Sequence, residues 1–140
     1  MNMVGHSLGN ISIIYYMLQN GRNRKMPQLV KQVDMAGHFA GLNFSRVPAS
    51  IRQPKGLKLN SAGKPNKMNA SYRQMTGVRE TYPKNKVRVL NIIGDIGGQT
   101  DGTVPNVSSL SLKYLVADRA KSYQVVKFTG KNARHSKLHE

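Results

Sequence analysis

The 140-residue sequence contains no cysteine, which excludes disulfide bridges and thiolate metal sites and leaves the redox compartment unread. No run approaches the roughly 20 apolar residues of a membrane span, and the first residues lack the basic-then-apolar order of a signal peptide. Acidic residues are scarce: 6 Asp plus Glu stand against 22 Lys plus Arg, for a formal net charge of +16. Such a field attracts anionic polymers, anionic lipid surfaces or nucleic acid, so a basic polyanion-binding protein is one functional expectation. Regularly interleaved aromatics and a recognisable reading helix are both missing, which argues against nucleic acid as the partner. Half of the positive residues fall between Arg46 and Arg88, in a stretch that otherwise reads as irregular, and a solvated basic loop accounts for them.

What is present begins almost at the amino terminus. Val4-Gly5-His6-Ser7-Leu8-Gly9-Asn10 has the form strand, Gly-x-Ser-x-Gly, helix. A serine at the tip of so tight a strand-to-helix turn is held in a strained backbone, with glycines two before and two after it to leave room. The turn lifts the hydroxyl clear of the sheet and aims the Leu8 amide at an oxyanion formed on a carbonyl attacked by Ser7. The competing reading is that Ser7 merely caps a helix. Asn2-Met3-Val4 before the motif ends a β-like run, and the apolar stretch Ile11 to Leu18 behind it closes at Asn20-Gly21, a helix C-terminal signal.

The length suits one domain. Leu29 to Val33 reads as a short strand, so strand, helix and strand form a parallel right-handed crossover. His38 leaves that strand at its carboxyl end, where open α/β sheets place ligands; it either lines a pocket or makes a plain polar contact. From about 43 to 83 the chain loses period and reads as a basic, lid-like insertion or a partly disordered segment, with Tyr72, Tyr82, Met68 and Met75 suited to a pliable lid surface and a loose helix over 70–76. Val87 to Ile93 is a β-branched strand ending at Gly94, followed by a glycine-rich loop holding Asp95 and Asp101. A helix runs from about Val107 to Val116, with Leu110, Leu112, Leu115 and Val116 inward. Tyr123 to Phe128 is the last strand, and His135 and His139 lie beyond it.

Acyl transfer by a serine needs a base to take the hydroxyl proton and a carboxylate to hold that base in the right tautomer. The chain order Ser, Asp, His, each after a predicted strand, is that of an α/β-hydrolase triad. The carrying residues are Val4 to Asn10, Val33-Asp34-Met35-Ala36-Gly37-His38-Phe39, Asp101-Gly102-Thr103-Val104-Pro105 with Ser108 to Tyr114 behind it, and His135 to Glu140. On them the sequence resembles the α/β hydrolases, and among these the cell-surface-hydrolase-like, esterase-like group of Gram-positive bacteria.

The resemblance implies a parallel sheet with flanking helices, a small-molecule ester as substrate, no cofactor and no metal. It implies Ser7 as nucleophile, Asp101 as orienting acid and His135 as general base, with Leu8 giving one oxyanion donor. Asp101 matches the family's Asp-x-x-Val-Pro acid loop, whereas Asp95 braces the turn; His135 is the first histidine past the last strand, with His139 the alternative. It also implies a bacterial protein with secreted or cell-surface relatives. Only four residues precede the elbow, while the family builds half of its sheet and its second oxyanion donor before that point. On this reading the chain is the carboxyl-terminal part of the fold, either a truncated enzyme or a non-catalytic remnant, with an exposed sheet edge open to self-association.

Overall fold

The computed structural model describes residues 1–44 and 46–138. Four strands, β1 (Asn2–His6), β2 (Lys31–Met35), β3 (Arg88–Asp95) and β4 (Ser122–Thr129), form one sheet in the order β1-β2-β3-β4, each parallel to its neighbour. The connections carry α1 (Leu8–Asn20), then α2 (Ala70–Met75) and α3 (Val78–Thr81), then α4 (Asn106–Leu110) and α5 (Leu112–Val116). This is the α/β class expected from the sequence.

Strands added always in the same direction by right-handed crossovers send every connection over the same face. The register puts Gly5, Asp34, Asn91 and Val125 in one row across the sheet. All three connections meet that face: a Cβ at Gly5 would strike Asn10 and Ile13 of α1, Tyr82 beyond α3 donates to Gln32, and Asn91 donates to the Ser109 carbonyl in α4. The core of Ile14, Met17, Phe39, Tyr72, Met75, Val78, Tyr82, Leu112 and Leu115 lies between the helices and this face. On the other face Val4, Val126 and Phe128 are exposed, Val4 at 65%. No described helix is long and apolar enough to cross a membrane.

Three expectations need correction. The second strand is shifted two residues onward, to Lys31–Met35, because its buried positions are Gln32 and Asp34, polar residues that satisfy one another and so leave no apolar alternation to read. The helix expected over 107–116 is two helices meeting at Ser111. The Ser111 hydroxyl donates back to the Ser108 carbonyl at 2.6 Å and its own carbonyl accepts from Tyr72 at 2.7 Å, a pattern that bends a helix. Leu110 is accordingly half-buried while Ser108, Ser109 and Ser111 point inward. Within the lid-like stretch, Tyr72, Met75 and Tyr82 are not a pliable surface: all three are fully buried and Met68 packs against them. The preceding residues take their shape from asparagines. Asn60 Oδ1 accepts from the amides of Ala62 and Lys64, and Asn69 caps α2 while its Nδ2 donates to the Ala40 and Arg52 carbonyls.

The motif glycines are not equivalent. A Cβ on Gly5 would stand 2.6 Å from Asn10 Oδ1 and 2.9 Å from Asn10 N, whereas one on Gly9 would meet nothing within 4 Å. Room is therefore needed two residues before the serine but not two after it, which corrects the symmetric reading of the motif. Gly5→Ala is expected to destabilise the fold by about 1–3 kcal/mol through overpacking, and Gly9→Ala, inside a helix, to leave it unchanged or raise it by about 0.5–1 kcal/mol, as read by denaturant melts.

Asp34 carries a second expectation. Its carboxylate lies fully buried in the sheet, accepts from Gln32 Nε2 at 3.1 and 2.9 Å, and burial pushes its pKa up to about 7 despite those bonds. Between pH 4 and pH 7 the folded chain then holds a proton that the unfolded chain has released, so this group's contribution to stability falls as pH rises, at up to about 1.4 kcal/mol per pH unit. Asp34→Asn should remove that slope, and the melting temperature of the variant relative to wild type should climb across this range.

Candidate active site

The turns that follow the strands gather at one end of the sheet, and the predicted residues lie there: Ser7 after β1, His38 after β2, Asp95 and Asp101 at and after β3, His135 after β4. Ser7 has φ 55° and ψ −116°, a left-handed backbone whose strain is of order 1–3 kcal/mol for a residue with a side chain. Hydrogen bonds to the neighbouring strand hold it in place. The Ser7 amide donates to the Met35 carbonyl at 2.9 Å, and Asn10 Nδ2 donates to the same carbonyl at 2.8 Å and to the Ser7 carbonyl at 3.1 Å. Ser7 stands at the N-cap position of α1, but its hydroxyl makes no capping bond to the helix. Leu8 opens α1 and is 66% exposed; its amide belongs to the first turn, where N–H groups have no carbonyl within the helix to meet.

Across the end of the sheet, His135 Nδ1 donates to Asp101 Oδ2 at 2.8 Å, and the His135 amide donates to the Asp101 carbonyl at 2.9 Å. The second carboxylate oxygen, Oδ1, accepts from the amides of Thr103 at 2.9 Å and Val104 at 2.6 Å. Burial of Asp101 would raise its pKa, but the bonds from His135, Val104 and Thr103 outweigh it and hold the carboxyl below the ordinary range. An ionised Asp101 accepts only, so it fixes the proton on His135 Nδ1 and leaves the Nε2 lone pair available to accept. The segment that carries His135 lies hard against β3, where a Cβ on Gly94 would stand 2.0 Å from the Ala133 carbonyl. Asp101 and His135, with Ile96, Thr103, Arg134 and Ser136, border an open cavity of about 360 Å³.

The two halves meet through His6. Its Nε2–H donates to the His135 carbonyl at 2.8 Å, and the two imidazole rings lie 4.9 Å apart between centroids. Ser7 is thus one residue from a direct contact with His135, although no hydrogen bond joins Ser7 Oγ to His135 among the described residues. Neither His6 nor Asn10 follows from the sequence reading. The usable signal for Asn10 is a polar residue three past Ser7, in the first turn of a largely apolar helix.

Asp95 is engaged elsewhere: Oδ1 accepts from the amides of Gly97 at 2.8 Å and Gln99 at 3.2 Å, and Lys127 stands 3.3 Å from Oδ2. The Gly97 bond, with Lys127 and Gln99, holds its carboxyl below the usual range. His38 is half-buried, and desolvation depresses its pKa. His139 lies outside the described residues. Among the described residues no three His, Cys, Asp or Glu side chains group as a metal site requires.

The family described as "Alpha/beta hydrolase of unknown function (DUF915)" matches residues 1–140. The crystal structure of the lin2722 gene product of Listeria innocua superposes with a TM-score of 0.77 at 27% identity, covering 100% of this chain and 52% of that one. A candidate cell surface hydrolase from Lactobacillus plantarum WCFS1 superposes with a TM-score of 0.67 at 16% identity over 96% of this chain and 45% of its own, a likeness of fold alone. The chain therefore spans about half the length of these solved structures. No curated protein matches it. With the parallel sheet, the strained serine turn and a family match over its whole length, the chain belongs to the DUF915 family of α/β hydrolases.

Proposed function

We propose that this site is that of a serine hydrolase acting on carboxylic esters, with Ser7 as nucleophile, His135 as general base and Asp101 as orienting acid. The observation that carries the reading is the buried Asp101 carboxylate bonded to His135 Nδ1, with the His135 carbonyl bonded to His6, the residue before a strained, uncapped serine. In that arrangement Ser7 Oγ attacks the ester carbonyl while His135 Nε2 takes its proton. Asp101 stabilises the resulting imidazolium, and the Leu8 amide donates to the oxyanion. The imidazolium then returns the proton to the departing alcohol, leaving an acyl group on Ser7. A water molecule, deprotonated by the same nitrogen, releases the acid. The anionic Asp101 suits this role because it must accept, never donate, as the imidazole charges.

A fluorophosphonate probe tests the assignment directly. Ser7→Ala is expected to abolish labelling and His135→Ala to reduce it severely. Asp101→Asn should slow it by about 10³–10⁴-fold through loss of the correct tautomer, while Asp95→Asn leaves the rate close to wild type. Equal labelling of wild type and Ser7→Ala would overturn the reading.

A further inference from the structure

We propose that the opposite end of the sheet holds a binding site for a phosphoryl anion. The loops that feed the amino ends of β2 and β3 border an open cavity of about 220 Å³ lined by Arg22, Arg24, Lys84 and Lys86, with Gln28 and Pro83 between them. Both loops are built rather than draped. In the first, Gln28 Nε2 donates to the carbonyls of Asn23 at 3.2 Å and Met26 at 2.8 Å, and the Gln28 carbonyl accepts from the terminal ammonium of Met1 at 2.9 Å. In the second, Asn85 sits at φ 57° with its amide on the Arg119 carbonyl at 2.6 Å, a left-handed turn that sends Lys84 and Lys86 to the same cavity.

All four basic side chains there are exposed, and none is in an ion pair among the described residues. Arg22 Nε and Nη2 donate to the Glu80 backbone carbonyl at 3.0 and 2.7 Å, which orients the guanidinium and leaves three of its five N–H donors unspent. The ion pairs among the described residues are Arg79–Asp118, Lys127–Asp95 and His135–Asp101, and none includes a residue of this cavity. Like charges concentrated by two fixed loops repel, and an anion that accepts from several at once relieves the repulsion. A tetrahedral phosphoryl group does so with up to three oxygens in the fork geometry of arginine. Among the described residues no aromatic side chain borders the cavity, so they offer no platform for a nucleobase, and the recognised chemistry is the phosphoryl group itself. That group is either free on a small compound or carried as a lipid headgroup.

The test uses the full chain at about 0.15 M ionic strength, so that the general field is screened. Inorganic phosphate is titrated calorimetrically, and co-sedimentation is measured with phosphatidylglycerol-containing and pure phosphatidylcholine vesicles. The double variant Lys84→Gln/Lys86→Gln is compared with Lys55→Gln/Lys58→Gln, which removes the same charge elsewhere. Saturable binding is expected, weakened by about tenfold or more in the first variant and by less than about twofold in the second. Binding of phosphate alone assigns a free phosphorylated compound, and binding of the anionic vesicles alone assigns a headgroup. Equal losses in both variants, or no saturable binding to either probe, would overturn the proposal.

Discussion

Four parallel strands laid down in sequence order impose most of what the molecule is. Parallel pairing makes each strand leave the sheet at the same end, so residues far apart in sequence meet there without any long-range design beyond the sheet itself. Ser7 and His135, separated by 128 positions (135 minus 7), lie at that end because β1 and β4 run in the same direction at the two edges of one parallel sheet. The price is distance, since two strands lie between them. It is closed by the chain after β4, which folds back over β3 where Gly94 lacks a side chain, and by the reach of His6 to the His135 backbone.

The Met35 carbonyl at the end of β2 is the other fixed point. It accepts from both Ser7 N and Asn10 Nδ2, so the strained turn is referenced to the neighbouring strand and not only to its own. Strain at Ser7 persists because these bonds over-determine the turn, the usual condition under which an unfavourable backbone survives. Asn10 is fully buried, and its Oδ1 has no partner among the described residues. Keeping a polar group there is worth its desolvation cost only if Nδ2 is needed where it is.

The tight strand-to-helix turn at Ser7 and the four strands were legible because each rests on local chemistry: glycine beside serine, β-branched runs, turns rich in glycine. The resemblance set Asp101 apart from Asp95 by its Val-Pro context; in the fold the two carboxylates have different partners, His135 for one and its own loop with Lys127 for the other. What escaped depends on partners distant in sequence. The shifted edge of β2 hides behind Gln32 and Asp34, whose burial makes sense only once Tyr82 donates to Gln32 from fifty residues away. Tyr72 and Tyr82 read as lid because their neighbours are basic and irregular, yet the Ser111 and Gln32 acceptors that make them core residues lie in other elements. The break at Ser111 follows from the same tyrosine bond.

The burial of two of the six acidic residues changes how the molecule meets its surroundings. The sequence isoelectric point of about 10.5 counts Asp34 and Asp101 as full anions. Asp34 is fully buried and near half-protonation at neutral pH, and Asp101 is 2% exposed with its oxygens committed to His135 and two amides. An approaching molecule meets neither. The side chains it does meet are more one-signed than the composition suggests, while the ionised Asp101 still counts in the net charge that sets electrophoretic mobility.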